Sequence, residues 1–291
     1  MNRKKTIRGY LLLIPALILM GVFMFYPLVT TIFNSFFNKR TIMVEPLKFV
    51  YFTQYKNSLT DSVFLSTIKW TMGFTFISVA IELVLALVFA LLMKKEFKGQ
   101  TFVRIIILLP WAIPAVVAGL VWTNLFDYNG LINTVLLGLK LIKEPIFFFG
   151  NQTTAKMAII IADVWKSVPY MSLLILAGLM GIPKDCYEAS SIDGAGKIKQ
   201  FFYITLPLLI PTISVSLMFR LIGATRSYGL VVAMTGGGPG NTTETMAMYA
   251  VDNFFKFGKV SYGSALSIIQ LLLSLAISAF FVSGLKKKVE V

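Results

Sequence analysis

The sequence predicts an all-α, polytopic membrane protein with six transmembrane helices, and three observations carry that reading. Apolar residues make up 57% of the 291-residue chain and mean hydropathy is +0.79, against an apolar content of roughly 45–50% in globular domains. The apolar residues fall in six runs, near Tyr10 to Phe33, Ile68 to Met93, Phe102 to Leu125, Met157 to Met180, Leu208 to Ile222 and Ala265 to Leu285. About 20 apolar residues in a helix cross a hydrocarbon layer of roughly 30 Å, and lipid offers no partner for a free backbone amide or carbonyl, so each run is expected to be helical. Finally, the Lys and Arg residues that give a net charge of +14 cluster at the ends of these runs. That is a membrane pattern; a nucleic-acid binder would gather them on one polar face. The chain is read as a single transmembrane domain, 1–291.

The first run follows Arg3, Lys4, Lys5 and Arg8, like the charged start of a signal peptide. No small-x-small cleavage site precedes Tyr26 and Pro27, and the run is too long, so an uncleaved anchor is expected. The second run has Lys69 near its start and Glu82 deep within it. In the third, Pro110 and Pro114 flank Trp111, a place where broken helix geometry can open a cavity. The fourth carries Asp163 and Lys166. The fifth holds Arg220 and merges into Ala224, Thr225 and Arg226, which makes it the least regular. Between runs, Asp127, Asn129 and Gly130, and later Gly236 to Gly240 with Pro239, mark tight connections and not further domains.

Orientation follows from the positive charges of the short loops. The N-terminus, Lys94, Lys95, Lys98 and Arg104, then Lys184, Lys197 and Lys199, then Lys286 to Lys288 all fall on one side. They are packed into shorter loops than the basic residues of the other side, so the positive-inside rule places them, and both termini, in the cytoplasm. The chain has no histidine and one cysteine, Cys186. That removes the usual general base and commonest metal ligand, any internal disulfide, and any cysteine-rich metal site. No nucleophile-and-base pattern suggests an enzyme.

Between the fourth and fifth runs lies a polar interruption, 183–207, on the cytoplasmic side. Pro183 suits a helix start and Asp185 its positive end, so a short helix from Pro183 to Ile192 is expected. Gly194 and Gly196 allow a sharp turn, a second helix follows over Lys197 to Tyr203, and Pro207 and Pro211 kink or start the fifth span. Gly194-Ala195-Gly196-Lys197 superficially suggests a phosphate-binding loop. That motif needs glycine where Ser191 stands and a hydroxyl where Ile198 stands, so ATP is not expected to bind this chain.

Glu188, Ala189, Ser190, Gly194, Ile204, Leu206 and Pro207 fall at the spacing of the EAA loop of bacterial ABC importer permeases, and Asp193 to Gly196 resemble its carbohydrate-importer version. From about Leu11 to the last span the chain resembles the MalF/UgpA-type membrane subunit of carbohydrate importers. The likeness is carried by Arg104 with Leu109 to Pro114, then Trp122, Phe126, Gly130, Leu131 and Asn133, then Asp163-Val164-Trp165 with Pro169-Tyr170, and Met234 to Pro239 with Thr242 or Thr243. The resemblance implies a MetI-like ABC importer permease fold in the bacterial inner membrane. It implies as partners a second homologous permease subunit, two copies of an ATP-binding subunit, an extracytoplasmic solute-binding protein and membrane lipid. ATP and Mg would be held by the partner ATPase, with no cofactor in this chain. Glu188, Ala189, Ser190, Asp193, Gly194 and Gly196 would couple to that ATPase, Glu188 meeting its basic groups and Gly194 setting the turn. The maltose subunit's extra N-terminal spans and large periplasmic insertion are not expected here, which leaves the six-span core as the expected architecture and puts maltose itself in doubt.

Charges within a membrane usually face a protein interior or watery cavity. Asp163 and Lys166 are three apart, share a helical face and can pair with each other; Lys69 reads as an interfacial anchor, and Glu82 as a packing, interface or transport residue. The family's sugar-contacting positions map onto Trp111, Ala115, Asp163, Lys166, Ser167, Tyr170, Gly223, Ala224 and Ser227. Gly223 and Ala224 cannot supply a ring or an amide, so the expected substrate path is Trp111, Asp163, Lys166, Ser167, Tyr170 and Ser227. Aromatic rings against sugar C–H faces, with short polar groups beside them, suit a sugar or oligosaccharide. Arg226 with Lys166 would also suit an anionic glycerol-phosphate-type solute. The alternative is an ion-gradient-driven secondary transporter. It predicts inverted repeats and paired discontinuous helices, and it leaves the Glu188 pattern unexplained.

Overall fold

The computed structural model describes residues 13–42, 46–95 and 97–289, with side chains up to residue 280. Arg3, Lys4, Lys5, Arg8, Tyr10 and Leu11 lie outside the described residues. Among those described no strand forms, and one antiparallel bridge joins Phe37 to Phe49. Five helices are long and apolar enough to cross a membrane, and a bent pair adds a sixth when counted as one span. The chain divides into two compact units, Met1–Leu65 with Tyr249–Leu271 and Ser66–Met248 with Leu272–Val291.

In the first unit, α1 (Leu13–Ser35) passes Pro27 through a wide turn at Gly21–Phe25, closed by an i→i+5 bond from the Tyr26 amide to the Gly21 carbonyl. Such a turn takes up a missing proline N–H without breaking the rod. The segment after α1 is tied to Ser261: the Lys39 amide donates to its hydroxyl (2.8 Å), and the Ser261 amide donates to the Lys39 carbonyl (3.0 Å). A short helix, α2 (Thr53–Thr60), leads to Asp61, the capping residue of α3 (Ser62–Lys94). Asp61 Oδ1 accepts from the Val63 and Phe64 amides (3.0 and 3.2 Å), and Oδ2 accepts from the Tyr249 and Tyr262 hydroxyls (2.6 Å each). Partial burial pulls the Asp61 carboxyl upward, but the two tyrosine and two amide hydrogen bonds outweigh it and hold the group below the ordinary aspartate value.

The second unit is a helix bundle. Its core gathers Phe74, Ala86 and Met93 of α3, Ile159, Met171 and Ile175 of α7 (Gln152–Met180), and Leu209 and Leu221 of α9 (Lys197–Thr225). The apolar stretch expected as one span, Phe102 to Leu125, is bent by 99° between α4 (Gln100–Ala112) and α5 (Ala115–Leu125). The cause is local: a residue before proline is driven out of the helical region, and Ile113 and Pro114 sit at ψ 130° and 142°. At 13 and 11 residues neither half spans a bilayer alone. Within α6 (Leu131–Gly138) buried Asn133 ties the segments before and after the helix together, donating to the Asp127, Tyr128 and Ile146 carbonyls and accepting from the Ile146 amide. Helix α5 lies so close to α10 (Gly229–Thr235) that a Cβ at Gly119 would come within 2.6 Å of the Ala233 Cβ. That contact explains a glycine inside an apolar helix.

The loop after α10 is fastened to α3. Trp70 Nε1 donates to the Thr243 carbonyl (2.9 Å), the Met246 amide donates to Thr71 Oγ1 (3.0 Å), and Thr243 Oγ1 donates to the Gly238 carbonyl (2.7 Å). Beyond it come α11 (Met246–Val251), extended by a wide turn at Asp252–Lys256, and α12 (Val260–Val289).

Candidate functional site

The polar interruption folds as a helix, a turn and a second helix. Helix α8 (Lys184–Ile192) starts after Pro183, which holds the capping position, and carries Asp185 in its first turn. It stops at Gly194, whose φ of +78° is open to glycine and costly for other residues. The Gly194 amide donates to the Ser191 carbonyl (3.1 Å) and the Ala195 amide to that of Ser190 (2.9 Å). Gly196, by contrast, sits at φ −70° and ψ 166°, extended backbone that any residue adopts. Only one of the two expected glycines is therefore required by conformation.

No separate second helix closes at Tyr203. Lys197–Gln200 runs through a wide turn at Phe201–Thr205 straight into Leu206–Thr225, with the Leu206 amide donating to the Phe201 carbonyl. That i→i+5 turn precedes Pro207 as the one in α1 precedes Pro27, and it absorbs the same missing donor. The fifth apolar run is thus the far part of a 29-residue helix that begins within the loop.

The loop is locked from inside. Gln200 Nε2 lies within hydrogen-bond distance of the Tyr187 carbonyl (3.3 Å), Ser190 Oγ (3.0 Å) and Ser191 Oγ (2.9 Å). The Tyr187 hydroxyl meets Thr205 Oγ1 at 3.0 Å, and the Lys94 ammonium sits 4.8 Å from the Tyr187 ring centre. Ser190 consequently faces inward, while Glu188, Ala189 and Asp193 are exposed, together with Ile192 (87%), Ile198 (76%) and Tyr203 (80%). The loop thus presents exposed apolar and acidic side chains on a backbone held by its own hydrogen bonds.

Deep in the bundle, α3, α7 and α9 are joined by one guanidinium. Arg220 Nε donates to Glu82 Oε2 (2.5 Å) and its Nη2 to Oε1 (2.8 Å), a two-pronged contact, and Nη2 also donates to Asp163 Oδ2. Glu82 is 0%, Asp163 6% and Arg220 7% exposed. Asp163 therefore pairs with Arg220 across helices, and no ion pair among the described residues includes the expected neighbour Lys166. An uncompensated charge this deep costs several kcal/mol, and the single guanidinium serves both carboxylates.

The remaining path residues are partly brought together. Trp111, half exposed at the end of α4 just before the bend, stacks on Tyr170 of α7 with ring centres 5.9 Å apart. Lys166 and Ser167, half-buried, lie one turn before Tyr170 on the same helix. Ser227 is half-buried and its carbonyl accepts from Thr245 Oγ1 (2.8 Å), and among the described residues no hydrogen bond links it to the Trp111–Tyr170 pair. Among the described residues no group of three or more His, Cys, Asp or Glu is placed to hold a metal ion.

Residues 82–289 match the family model described as binding-protein-dependent transport system inner membrane component. The chain belongs to that family. This permease is 40% identical over 279 residues to the sulfoquinovosyl glycerol transport system permease protein SmoG of Agrobacterium fabrum, covering 96% of this chain and 90% of that one. It is 38% identical over 274 residues to the trehalose/maltose transport system permease protein MalF of Thermococcus litoralis, covering 94% and 92%. In fold it matches a bacterial ABC transporter involved in the import of the acidic polysaccharide alginate, with a TM-score of 0.84, 21% identity and coverage of 98% and 96%. It is a multi-pass membrane subunit of a transport system, not an enzyme.

Several residues of the permease's site escaped the sequence reading. Gln200 and Tyr187, which lock the loop, look like ordinary polar residues of an amphipathic segment, because their role depends on two helices meeting. The Glu82–Arg220 contact joins positions far apart in the chain. Its only sequence signal was that each placed a charge inside an apolar run.

Proposed function

We propose that this permease forms half of the membrane pathway of an ATP-driven, binding-protein-dependent importer of sugars or oligosaccharides, or of a glycerol-phosphate-type solute. In this reading it is one domain of six spans, with both termini and the 183–207 loop in the cytoplasm. Its partners are a second homologous permease subunit, two copies of an ATP-binding subunit, and an extracytoplasmic solute-binding protein. The observation that carries the reading is the internally locked loop that leaves Glu188, Ala189 and Asp193 exposed at the head of a helix running into the span. Closure of the ATPases would push on α8, and Gln200 would pass the displacement into α9. Two packings of the bundle would then alternate, biased by nucleotide.

The solute would pass near the 99° bend, where Trp111 and Tyr170 offer ring faces and Lys166 and Ser167 offer polar groups. Ser227 would lie further along the path. Asp163 would shape it from behind, through Arg220. The names of the relatives support a carbohydrate class of solute.

The test is Glu188→Lys in the assembled complex, reconstituted into vesicles with its binding protein. Membrane insertion should be unchanged, while ATP-dependent uptake and ATPase stimulation by the loaded binding protein should fall together at least tenfold. Normal coupled uptake by that variant, or uptake abolished by a protonophore but indifferent to ATP, would refute the reading and favour ion-gradient transport.

A further inference from the structure

We propose that a groove between the C-terminal end of α3 and the start of α9 binds the headgroup of an anionic glycerophospholipid. The groove encloses about 770 Å³, within the roughly 300–1,000 Å³ of small-ligand pockets. Its walls are apolar: Val88, Leu91 and Leu92 from α3, Phe201 and Phe202 from α9. Its rim is basic, with Lys94, Lys95 and Lys197, and none of the described residues that line it is a carboxylate.

Two features select this occupant. Lys94 and Lys95 close the apolar run of α3, and Lys197 opens α9, the helix of the fifth span, so the cations stand at the ends of spanning segments, where these meet the headgroup layer. An ammonium binds phosphate as a compact point charge with three donors. Lys94, half-buried and held over the Tyr187 ring, is already oriented for that task. Next, the apolar wall does not end at the groove. Val84, Val88 and Leu92 repeat every four residues along one face of α3 and are 61%, 47% and 44% exposed, which provides an acyl-chain track leading to the rim. A soluble phosphate has no use for that track. The inference depends only on the chain being embedded in a membrane, not on the identity of the transported solute.

The experiment compares retention of phosphatidylglycerol and phosphatidylcholine of equal acyl length by the purified full-length chain in nonionic detergent, read by native mass spectrometry. Phosphatidylglycerol should be retained at least tenfold better. Each of Lys94→Gln, Lys95→Gln and Lys197→Gln should lower its affinity roughly fivefold, and the triple variant should lose the preference, while Lys140→Gln with Lys143→Gln keeps it. Should the triple variant not fold, Lys95→Glu, a two-charge change at an exposed position, should on its own lower phosphatidylglycerol affinity roughly 25-fold. Equal retention of the two lipids, a preference that survives the lysine changes, or displacement by millimolar inorganic phosphate would each overturn the proposal. So would loss of the preference once the ATP-binding subunits are bound, because the groove would then be their seat.

Discussion

Replacing Arg220 by Met isolates what the buried ion cluster does. The substitution keeps most of the side-chain volume but removes the guanidinium that contacts Glu82 twice and Asp163 once. Two carboxylates, 0% and 6% exposed, are then left without their cation. Breaking a buried pair from one side costs about 3–5 kcal/mol, and stability changes of this kind move a melting point about 2–4 °C per kcal/mol in chains of 150–250 residues. Arg220→Met should therefore melt about 6–20 °C below the unaltered permease, toward the smaller figure for a longer chain. Arg220→Lys should fall between the two, since an ammonium cannot make the two-pronged contact. Arg220→Met with Glu82→Gln and Asp163→Asn removes the charges together and should recover most of the loss. The assay is tryptophan-fluorescence melting of each variant in detergent, after size-exclusion chromatography confirms a monodisperse protein. If Arg220→Met melts within about 2 °C of the parent, or the triple variant is as unstable as the single, the cluster does not hold the three helices together.

Asp61 carries a pH prediction. Its carboxyl titrates below the ordinary value of about 3.9 in the folded chain, so its contribution is complete above that value and is lost as pH falls through the lower, folded value. Melting points measured from pH 6 downward should show this acid loss in the parent and a shallower one in Asp61→Asn, which keeps the helix cap but places an amide donor against two tyrosine hydroxyls and should be about 1–3 kcal/mol less stable at pH 6. In the loop, Gly194→Ala should cost about 1–2 kcal/mol through its left-handed backbone and weaken uptake, whereas Gly196→Ala, in extended backbone, should leave both melting and uptake unchanged. Trp111→Ala removes the ring stacked on Tyr170; uptake measured against solute concentration should show a several-fold weaker apparent affinity. An unchanged curve would place the path elsewhere.

The helices were legible because their cause is local: a run of apolar residues in lipid has no other way to satisfy its backbone. The same holds for the loop's first helix, where Pro183, Asp185 and Gly194 carry start and stop signals in their own chemistry. The bend was half legible. Pro110 and Pro114 announced a break near Trp111, and the local backbone at Ile113 and Pro114 makes it, but its 99° angle also reflects the packing of α4 and α5 on α7. Wide turns before Pro27 and Pro207 were hidden for the opposite reason. Proline reads as a boundary, yet a five-residue adjustment lets the helix run on.

By itself the sequence determined that this is a helical membrane protein with a polar helix-and-turn interruption at 183–207, since composition and helix signals act over short stretches of chain. Only the tertiary structure decided which side chains meet: that Arg220 and not Lys166 answers Asp163, that Gln200 locks Ser190 inward, and that three lysines gather around one apolar groove. Contacts between residues distant in the chain depend on how the helices cross and rotate, and no local pattern encodes that geometry.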